Sequence, residues 1–185
     1  GVLDAIDRVE SWGVDFVDPR IEEEKAKIAS EDAIVTAVAR ATTPDPLAGR
    51  HVVVTSGATT ESVDPVRTLS NRASGRTGRA VPRACHVSGA DVTLVHDGPD
   101  VHCADVRAAE SAAAMIDTVS AAVAGDDGDP ADALVSAAAI SDFTVARAED
   151  KIRSGEAITL ELEPTPKLLD TVRADHPDLP MVGFK

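Results

Sequence analysis

The segment 52–78 combines hydroxyl side chains, glycines, an amide and arginines in a spacing suited to binding a phosphate or a nucleotide. A β-branched strand sequence at 52–55 leads straight into the small residues at 56–58. An extended polar stretch follows, and a glycine-flanked helix start is predicted near Gly75. Because this order exposes backbone N–H groups at the carboxyl end of a strand, it predicts a nucleotide site of the kind found in α/β proteins.

Two well-known phosphate-binding motifs are absent from this segment. It contains no Walker loop, which needs Gly-Lys-Ser/Thr after a glycine and four intervening residues. The dinucleotide fingerprint needs a second glycine two residues after Gly57, where Thr59 stands. His96 also closes the second predicted strand, at the place where a ribose-binding acidic residue is expected. These features disfavour a nicotinamide or flavin module of a reductase.

The composition favours parallel strands covered by helices and disfavours polyanionic partners. Apolar residues make up 43% of the 185 residues, but there are only three Phe, one Trp and no Tyr. The core must therefore be built from Ala, Val, Leu and Ile. With 32 acidic and 18 basic residues, the formal net charge is −14, so nucleic acid and an anionic membrane are not expected as partners. The acidic excess also resembles that of a halophile's protein surface.

The compartment expected from the sequence is the cytoplasm. No apolar stretch approaches the roughly 20 residues that span a bilayer, and the amino end is amphipathic and acidic rather than a signal peptide. Cys85 and Cys103 lack a CxxC or Cys/His metal spacing, so both are expected to be reduced thiols that pack in the core. The five histidines show no HxxxH or HExxH spacing, and a transition-metal site is not expected.

Hydrophobic periodicity predicts a Rossmann-like α/β fold, a doubly wound and mainly parallel sheet with helices on both faces. Apolar residues at helical spacing predict helices at 2–12, 31–40, 75–88 and 112–123, and a short helix after Pro166. Apolar and β-branched runs predict strands at 14–17, 51–55, 91–96, 101–106, 133–140, 158–162 and 181–184. The charged stretch 20–29 is interpreted as loosely helical.

Three separated segments match one further pattern. The first contains TSGAT at 55–59, DPVR at 64–67 and SNRASG at 70–75. The second is SAAAISDF at 136–143, and the third runs from EDKI at 149–152 through Pro166 to VGF at 182–184. In this order they resemble the phosphopantothenoylcysteine synthetase family, a ligase family of coenzyme A synthesis. The resemblance covers about residues 48–185 and implies the same Rossmann-like fold.

The resemblance also implies a domain organisation. Residues 1–40, which include WGVDFVDPRIEEEKAKIA, look like the carboxyl-terminal tail of the phosphopantothenoylcysteine decarboxylase that precedes the synthetase in fused bifunctional proteins. Residues 41–49, which contain two prolines and a glycine, are interpreted as a linker. Residues 50–185 are then the phosphopantothenate–cysteine ligase domain, which we expect to be truncated at its carboxyl end.

The family's reaction implies the substrates and cofactors. The carboxylate of 4′-phosphopantothenate attacks the α-phosphate of CTP and gives an acyl-cytidylate and pyrophosphate, after which the amine of cysteine displaces CMP. Mg²⁺ is expected as the cofactor because charge must be neutralised where the two anions meet. FMN would belong only to the decarboxylase half, whose flavin-binding body is not in this sequence. The expected assembly is a homodimer formed through the ligase domain, and ATP is the alternative nucleotide.

Site residues follow from the resemblance, position by position. Asn71 and Lys151 would be catalytic, because the Asn71 amide donates to the acyl-cytidylate and Lys151 is the first lysine of a flap that assists the cysteine step. Asp142 would accept a hydrogen bond from the cytosine amino group. The residues expected to bind the nucleotide are Gly57, Ala58, Thr59, Ser136, Ala137, Ala138, Asp142, Lys151, Thr165, Pro166, Lys167, Leu168 and Phe184. The residues expected to bind 4′-phosphopantothenate are Arg67, Asn71, Ser74 and Gly75, and no metal ligands are assigned.

The chain departs from the family pattern at several positions. Ala73 replaces the first serine of a usual Ser-Ser pair, and Arg76 replaces a usual lysine while keeping its charge. Thr165-Pro166-Lys167 stands where Asn-Pro-Asp is common, so the nucleotide contact made there must differ. The alternative function is a Rossmann-like module that binds or senses a nucleotide or flavin without ligase activity.

Overall fold

A computed structural model of the chain describes residues 1–22, 25–126 and 128–184. Over these residues, the helices are α1 (Val2–Glu10), α2 (Glu31–Thr42), α3 (Arg76–Val87), α4 (Ala112–Ala124) and α5 (Leu168–Asp175). The strands are β1 (Arg20–Glu22), β2 (Lys25–Lys27), β3 (His51–Thr55), β4 (Thr60–Asp64), β5 (Arg67–Ser70), β6 (Asp91–His96), β7 (Asp105–Ala108), β8 (Ala133–Ser136), β9 (Phe143–Val145), β10 (Leu162–Pro164) and β11 (Met181–Gly183). None of the described helices is long and apolar enough to cross a bilayer.

The central sheet is parallel and, within the described residues, has the strand order β11-β8-β3-β6-β7. Strand β3 lies in the middle, where Val53 is in register with Leu134 of β8 on one side and with Thr93 of β6 on the other. The chain moves outward from β3 to β6 and β7, and then returns to β8 on the opposite side of β3. This topology confirms the predicted doubly wound sheet, and it places the topological switch point between β3 and β8.

Aliphatic side chains on alternate positions of β3 and β6 fill two cores, one on each face of the sheet. Val53 and Val95 pack with α4 and α5, whereas Val54 and Leu94 pack on the other face with residues of α3. All four are fully buried. Burial of each such side chain contributes roughly 1.5–3 kcal/mol, so these strands hold both helix layers without large aromatic residues.

Helix α2 docks on α3 through charged groups at both of its ends. Arg40, in the last turn of α2, donates to the carbonyl oxygens of His86, Gly89 and Ala90, where α3 ends. At the other end of α2, the Asp32 carboxylate accepts from Arg83 at 2.8 Å. A guanidinium at a helix carboxyl end stabilises the unpaired carbonyls and opposes the negative end of the helix dipole. Helix α2 therefore joins the amino-terminal segment to the core of the sheet domain.

The polar stretch after the glycine loop forms an antiparallel hairpin of β4 and β5, which the sequence analysis did not predict. Its turn begins with Asp64, whose Oδ1 accepts from the N–H groups of Val66 and Arg67, each at 2.8 Å. Asp64 Oδ2 accepts from the Arg67 guanidinium and, at 3.1 Å, from the N–H of Ile152. Arg67 Nη1 also donates to the Ile152 carbonyl at 3.0 Å. The fully buried Asp64 side chain thus ties the hairpin turn to the segment that contains Lys151.

Glu61 ties the same hairpin to the sheet. Its buried carboxylate accepts from the N–H of Ala112, the first residue of α4, at 2.8 Å, and from the Thr144 hydroxyl at 2.9 Å. A carboxylate at a helix amino end is stabilised by the free N–H groups and the helix dipole. The hairpin therefore occupies a fixed position beside the carboxyl ends of the strands.

The predictions for the amino-terminal segment were partly wrong. Residues 14–17 form no strand. The stretch interpreted as loosely helical contains the antiparallel pair of β1 and β2, in which Ile21 lies opposite Ala26. The charged residues there favour a helix only weakly, since no apolar face lies at helical spacing. Helix α2 extends to Thr42, into the predicted linker. The domain boundaries at 40 and 49 remain predictions.

Strand bounds in the sheet domain also differ from the predictions. The strand predicted at 133–140 ends at Ser136. The N–H of Ala137 donates both to the Thr55 carbonyl, at 3.3 Å, and to the Thr55 hydroxyl, and the N–H of Ala138 donates to that hydroxyl instead of to a strand carbonyl. The strand predicted at 101–106 is β7, which begins only after a turn at 102–103. The strand predicted at 158–162 begins at Leu162 instead, where it pairs with β9. An apolar run is a good predictor of the presence of a strand, but a poor predictor of the residue at which the strand ends.

Gly78 lies in the interior of α3 at a close approach to the end of β3. A Cβ atom on Gly78 would lie 2.7 Å from Ser56 Cα and 2.5 Å from Ser56 Cβ. We expect Gly78→Ala to lower the free energy of unfolding by about 1–3 kcal/mol, because overpacking outweighs the better helix propensity of alanine. Urea unfolding measures the change. Gly128→Ala is the control, since its Cβ would meet no atom within 4 Å, and equal stability of the two variants would contradict the close approach.

The hydrogen bonds to Asp64 make part of the stability depend on pH. Burial raises the pKa of Asp64, but the N–H groups of Val66, Ile152 and Arg67 and the Arg67 guanidinium lower it more, from 3.8 to about 2. A pKa lower in the folded than in the unfolded state stabilises the fold above about pH 4, and this contribution is lost as the pH falls toward 2. We therefore expect Asp64→Asn to be less stable than the unmodified protein at pH 7, with the difference shrinking between pH 4 and pH 2.

The measurement is urea unfolding of both proteins at a series of pH values and at constant salt. Taking the difference between them removes the titration of the other carboxylates. Asp117→Asn, on the exposed side of α4, makes the same chemical change away from the network. A difference for Asp64→Asn that stays constant from pH 7 to pH 2 would show that the carboxylate is not stabilised by the turn.

Candidate nucleotide and substrate site

The loops that follow β3 and β8 run side by side at the topological switch point. Gly57 turns the first loop with a φ of +79°, and its carbonyl accepts from the N–H of Ala139 at 2.8 Å. Ala58 and Ala139 form a parallel bridge, and the Thr59 N–H donates to the Ala139 carbonyl at 3.3 Å. A crevice between two such loops is where open α/β sheets bind their ligands. The structure therefore brings together the loops 57–59 and 136–139 that were predicted to bind the nucleotide.

Two buried threonines fix the distance between these loops. The Thr55 hydroxyl accepts from the N–H of Ala137 at 3.2 Å and from that of Ala138 at 3.1 Å. The Thr59 hydroxyl accepts from the N–H of Ser141 at 2.8 Å. Thr59 was predicted to contact the nucleotide, but in this structure its hydroxyl lies inside the protein and binds the neighbouring loop. A direct nucleotide contact of Thr59 remains a prediction.

The start of α3 lies against the first glycine loop. Gly75 has a φ of +63°, and a Cβ atom there would lie 3.5 Å from Gly57 Cα. The Gly75 carbonyl accepts from the Ser56 hydroxyl at 3.5 Å, and Ser74 Oγ accepts from the N–H of Arg76 at 3.4 Å. Free N–H groups in the first turn of a helix, beside a glycine loop, favour an anion such as a phosphate.

Asn71 bridges from the hairpin to the β8 loop. Its side-chain amide donates to the carbonyl oxygens of Ala139 at 3.4 Å and of Ile140 at 3.3 Å. Both bonds are long, and Asn71 is exposed, so the amide can turn toward a ligand at low energetic cost. Asn71 thus lies at the edge of the crevice, between the predicted substrate-binding segment and the predicted nucleotide-binding segment.

A second part of the site lies between the end of the β8 loop and the start of α5. The N–H of Thr165 donates to the Asp142 carbonyl at 3.0 Å, and the Thr165 hydroxyl donates to the Ser141 carbonyl at 2.5 Å. Lys167 forms an ion pair with Asp142. Beside these groups lies a cavity of about 310 Å³. Six of its ten lining residues were predicted to bind the nucleotide, namely Ser136, Ala138, Asp142, Pro166, Lys167 and Leu168; the other four are Ile140, Ser141, Leu169 and Asp170.

The remaining predicted residues occupy different places. Phe184 follows β11, its N–H donates to the Ser136 carbonyl at 3.1 Å, and its side chain is 57% exposed. Phe184 therefore lies beside the β8 loop, where an aromatic ring can stack on a ligand. Arg67 Nη1 donates to the Asp64 carboxylate and to the Ile152 carbonyl, so this nitrogen is already occupied. Lys151 is exposed on the adjoining segment. Contacts of these three residues with a ligand remain predictions.

Several buried polar residues that hold the site were not predicted. The Thr55 hydroxyl and the Glu61 carboxylate accept from N–H groups of other segments, and Ser141 donates its N–H to the Thr59 hydroxyl and its own hydroxyl to the nearby Phe143 carbonyl. The sequence gives only a weak signal for them, because a threonine at the end of a β-branched strand is indistinguishable from an ordinary strand residue. Their partners lie about 80 residues away for Thr55 and 51 residues away for Glu61. Only the fold reveals these pairs.

His96, at the carboxyl end of β6, is a buried polar group near the crevice. Burial lowers its pKa, an effect that the carbonyl of Pro99 and the Asp97 carboxylate partly oppose. Its Nε2 has no hydrogen-bond partner among the described residues. A neutral imidazole at this position does not replace the carboxylate that binds a ribose in dinucleotide-binding folds.

The acidic, histidine and cysteine side chains of the described residues are dispersed. In the ranges 1–22, 25–126 and 128–184, no group of three or more His, Cys, Asp or Glu side chains could hold one. Mg²⁺ commonly keeps several waters and binds through substrate phosphates together with one or two carboxylates.

The chain is similar to known proteins over most of its length. It is 40% identical over 187 residues to the coenzyme A biosynthesis bifunctional protein CoaBC of Thermococcus kodakarensis, a match that covers 100% of this chain and 46% of the relative. It is 30% identical over 174 residues to the CoaBC protein of Methanocaldococcus jannaschii, covering 92% of this chain and 42% of that protein. The chain thus spans about half the length of these relatives.

Solved structures agree with the fold. The crystal structure of the C-terminal domain of a CoaBC protein superposes with a TM-score of 0.59 at 27% identity, covering 75% of this chain and 64% of that one. The DNA/pantothenate metabolism flavoprotein of Streptococcus pneumoniae superposes with a TM-score of 0.61 at 23% identity, covering 74% and 69%; this second likeness concerns the fold alone.

A family model provides the broadest assignment. It describes the C-terminal domain of DNA/pantothenate metabolism flavoproteins and matches residues 47–185. This range contains the central sheet, the loop at Gly57, the helix start at Gly75 and the cavity beside α5. With its fold, its crevice and its relatives in agreement, the chain belongs to the family of DNA/pantothenate metabolism flavoprotein C-terminal domains.

Proposed function

We propose that this chain is the phosphopantothenate–cysteine ligase part of a coenzyme A biosynthesis protein. It joins cysteine to 4′-phosphopantothenate in two steps through an acyl-cytidylate. The observation that carries the proposal is the meeting of three segments at the switch point, where Gly57 and the Asn71 amide contact the β8 loop and Gly75 lies against Gly57. Its relatives are named as coenzyme A biosynthesis proteins, which supports this reaction over other nucleotide-dependent ones.

The first step brings two anions together, and the crevice offers donors for both. The carboxylate of 4′-phosphopantothenate attacks the α-phosphate of CTP, and pyrophosphate leaves. The N–H groups of Gly57 and Ala58 and those of the first turn of α3 would bind the phosphates, whereas the Thr59 N–H is engaged with the Ala139 carbonyl. Ser74 and Gly75 belong to that same turn, and they would share it with 4′-phosphopantothenate. The base would enter the cavity beside Asp142 and Lys167.

Asn71 is suited to the bond rearrangement at the α-phosphate. Its amide donates to backbone carbonyls from an exposed position, so a ligand oxygen can replace them. A neutral donor there stabilises an acyl-phosphate oxygen without attracting the carboxylate away from its target. In the second step, the cysteine amine attacks the acyl carbon and CMP leaves. Lys151 lies on the segment fixed to Arg67 and Asp64, and would assist this step.

Other parts of the proposal concern the whole protein. Mg²⁺ would arrive bound to the CTP phosphates and offset their charge. Homodimer formation is supported by exposed apolar side chains around β9 and β10, namely Phe143, Ile158, Leu160 and Leu162. A cytoplasmic location is supported by Cys85 and Cys103, which are both free thiols.

The decarboxylation reaction and its cofactor FMN would belong to the remainder of a bifunctional protein.

The direct test is to incubate the protein with 4′-phosphopantothenate, Mg²⁺ and CTP without cysteine, and to search for the acyl-cytidylate by mass spectrometry. High salt is used to screen the net charge of −14. We expect the intermediate to form, and to disappear into phosphopantothenoylcysteine and CMP when cysteine is added. Nucleotide binding without any acyl-nucleotide would instead identify a binding module.

Asn71→Ala and Asn71→Asp test the first step. We expect both to slow acyl-cytidylate formation by about a hundredfold or more, because a donor aimed at developing charge is lost. The aspartate variant should be slower than the alanine variant, since a carboxylate repels the reacting anions. If both variants form the acyl-cytidylate at a near-normal rate, Asn71 has no catalytic role and only caps a loop. The melting temperature serves as the control for folding.

Lys151→Gln tests the second step. We expect the acyl-cytidylate to form at a near-normal rate and then to accumulate after cysteine is added, since only the cysteine step would depend on this lysine. Lys27→Gln, on the exposed strand β2, is the matched control. If Lys151→Gln reacts with cysteine as fast as the control, the lysine has no role in that step.

A further inference from the structure

An ion pair lies at the cavity between the β8 loop and α5. It joins Lys167 Nζ to Asp142 Oδ1, and both residues line this cavity of about 310 Å³. The two side chains are largely exposed, at 55% for Lys167 and 71% for Asp142. Exposed ion pairs contribute little net stability, so a ligand can insert between or beside the two groups without a large loss.

The backbone beneath this pair is held much more firmly than the side chains. Thr165 donates through its N–H to the Asp142 carbonyl at 3.0 Å and through its hydroxyl to the Ser141 carbonyl at 2.5 Å. Strands β9 and β10 continue the connection, with Pro164 opposite Phe143. The ammonium and the carboxylate are therefore presented from two segments with a fixed separation.

The cavity beside the pair has both apolar and polar lining residues. Its walls include Ala138, Ile140, Leu168 and Leu169, which belong to or pack against the core on that face of the sheet. Apolar walls with a few polar groups at one edge are the usual form of a small-molecule site. Its polar lining residues are Ser136, Ser141, Asp142, Lys167 and Asp170, and among them the acceptor Asp142 and the donor Lys167 lie side by side as an ion pair.

This donor–acceptor pair distinguishes two classes of nucleobase. Cytosine presents an amino group beside the ring acceptor N3, and adenine presents one beside N1. Uracil and guanine present the reverse order, a carbonyl oxygen beside a ring N–H. An amino group can donate to Asp142 while the adjacent ring nitrogen accepts from Lys167. The reversed edge would place an oxygen against the carboxylate and an N–H against the ammonium.

We propose that Lys167 is a specificity-determining residue which, together with Asp142, selects bases that carry an amino group beside a ring acceptor. The inference rests on the proposed function, because it takes the cavity to be the base pocket of that reaction. It extends that function by assigning the ring-nitrogen contact to Lys167, and it makes cytosine and adenine nucleotides acceptable and uracil and guanine nucleotides poor ligands.

The test measures binding of CMP, AMP, UMP and GMP to the protein by isothermal titration calorimetry, without other substrates. We expect CMP and AMP to bind about tenfold to a hundredfold more tightly than UMP and GMP, as for a hydrogen bond to a charged group. Lys167→Met should weaken CMP binding by about tenfold or more and leave UMP nearly unchanged. Lys167→Arg, which keeps a charged donor, should restore the preference.

Lys27→Met is the matched control, because it makes the same change on exposed strand β2. Equal binding of CMP and UMP to the unmodified protein would overturn the inference, and so would a Lys167→Met variant that keeps the full preference. A protein that prefers CMP and AMP but forms no acyl-nucleotide would disprove the ligase reaction alone. A protein that forms acyl-nucleotides equally from CTP and UTP would disprove the base selection alone.

Discussion

The site depends on one hydroxyl group. Thr55 ends the central strand, and its Oγ1 accepts from the N–H groups of both Ala137 and Ala138. Strand β8 ends at Ser136, and the residues that follow form the β8 loop beside the end of β3. Without this acceptor the half-buried N–H of Ala138 would lose this partner, and that of Ala137 would keep only its bond to the Thr55 carbonyl at 3.3 Å. The position of the β8 loop, and so the shape of the crevice, follows from this pairing.

Three other polar side chains fix the loops around the sheet to neighbouring elements. Glu61 fixes the hairpin to the start of α4, and Asp64 fixes the hairpin turn to the segment carrying Lys151. Thr165 fixes the start of α5 to the end of the β8 loop. Each is a buried or nearly buried group with its partners in another element. The aliphatic core supplies most of the burial, whereas these few groups determine where the functional loops lie relative to one another.

The sequence predicted the architecture well and the connections poorly. The runs at 51–55 and 91–96 were predicted with the bounds of β3 and β6, because buried parallel strands are continuous apolar runs. The hairpin of β4 and β5 was missed, since its polar strands owe their pairing to Glu61 and Asp64 rather than to an apolar pattern. Lys167 was recognised as a departure from the family pattern, but its partner Asp142 could be identified only from the fold.

The docking of α2 on α3 has a mechanical consequence. Helix α3 has 12 residues, with Pro82 in its interior, and is about 18 Å long. Its far end is held by Arg40 of α2, while its near end at Gly75 touches the loop of Gly57. Since both ends of α3 are held by contacts, α3 cannot shift with the amino-terminal segment unless the residues beside Gly57 move too. One helix thus connects two regions that the sequence separates by a proline-rich stretch.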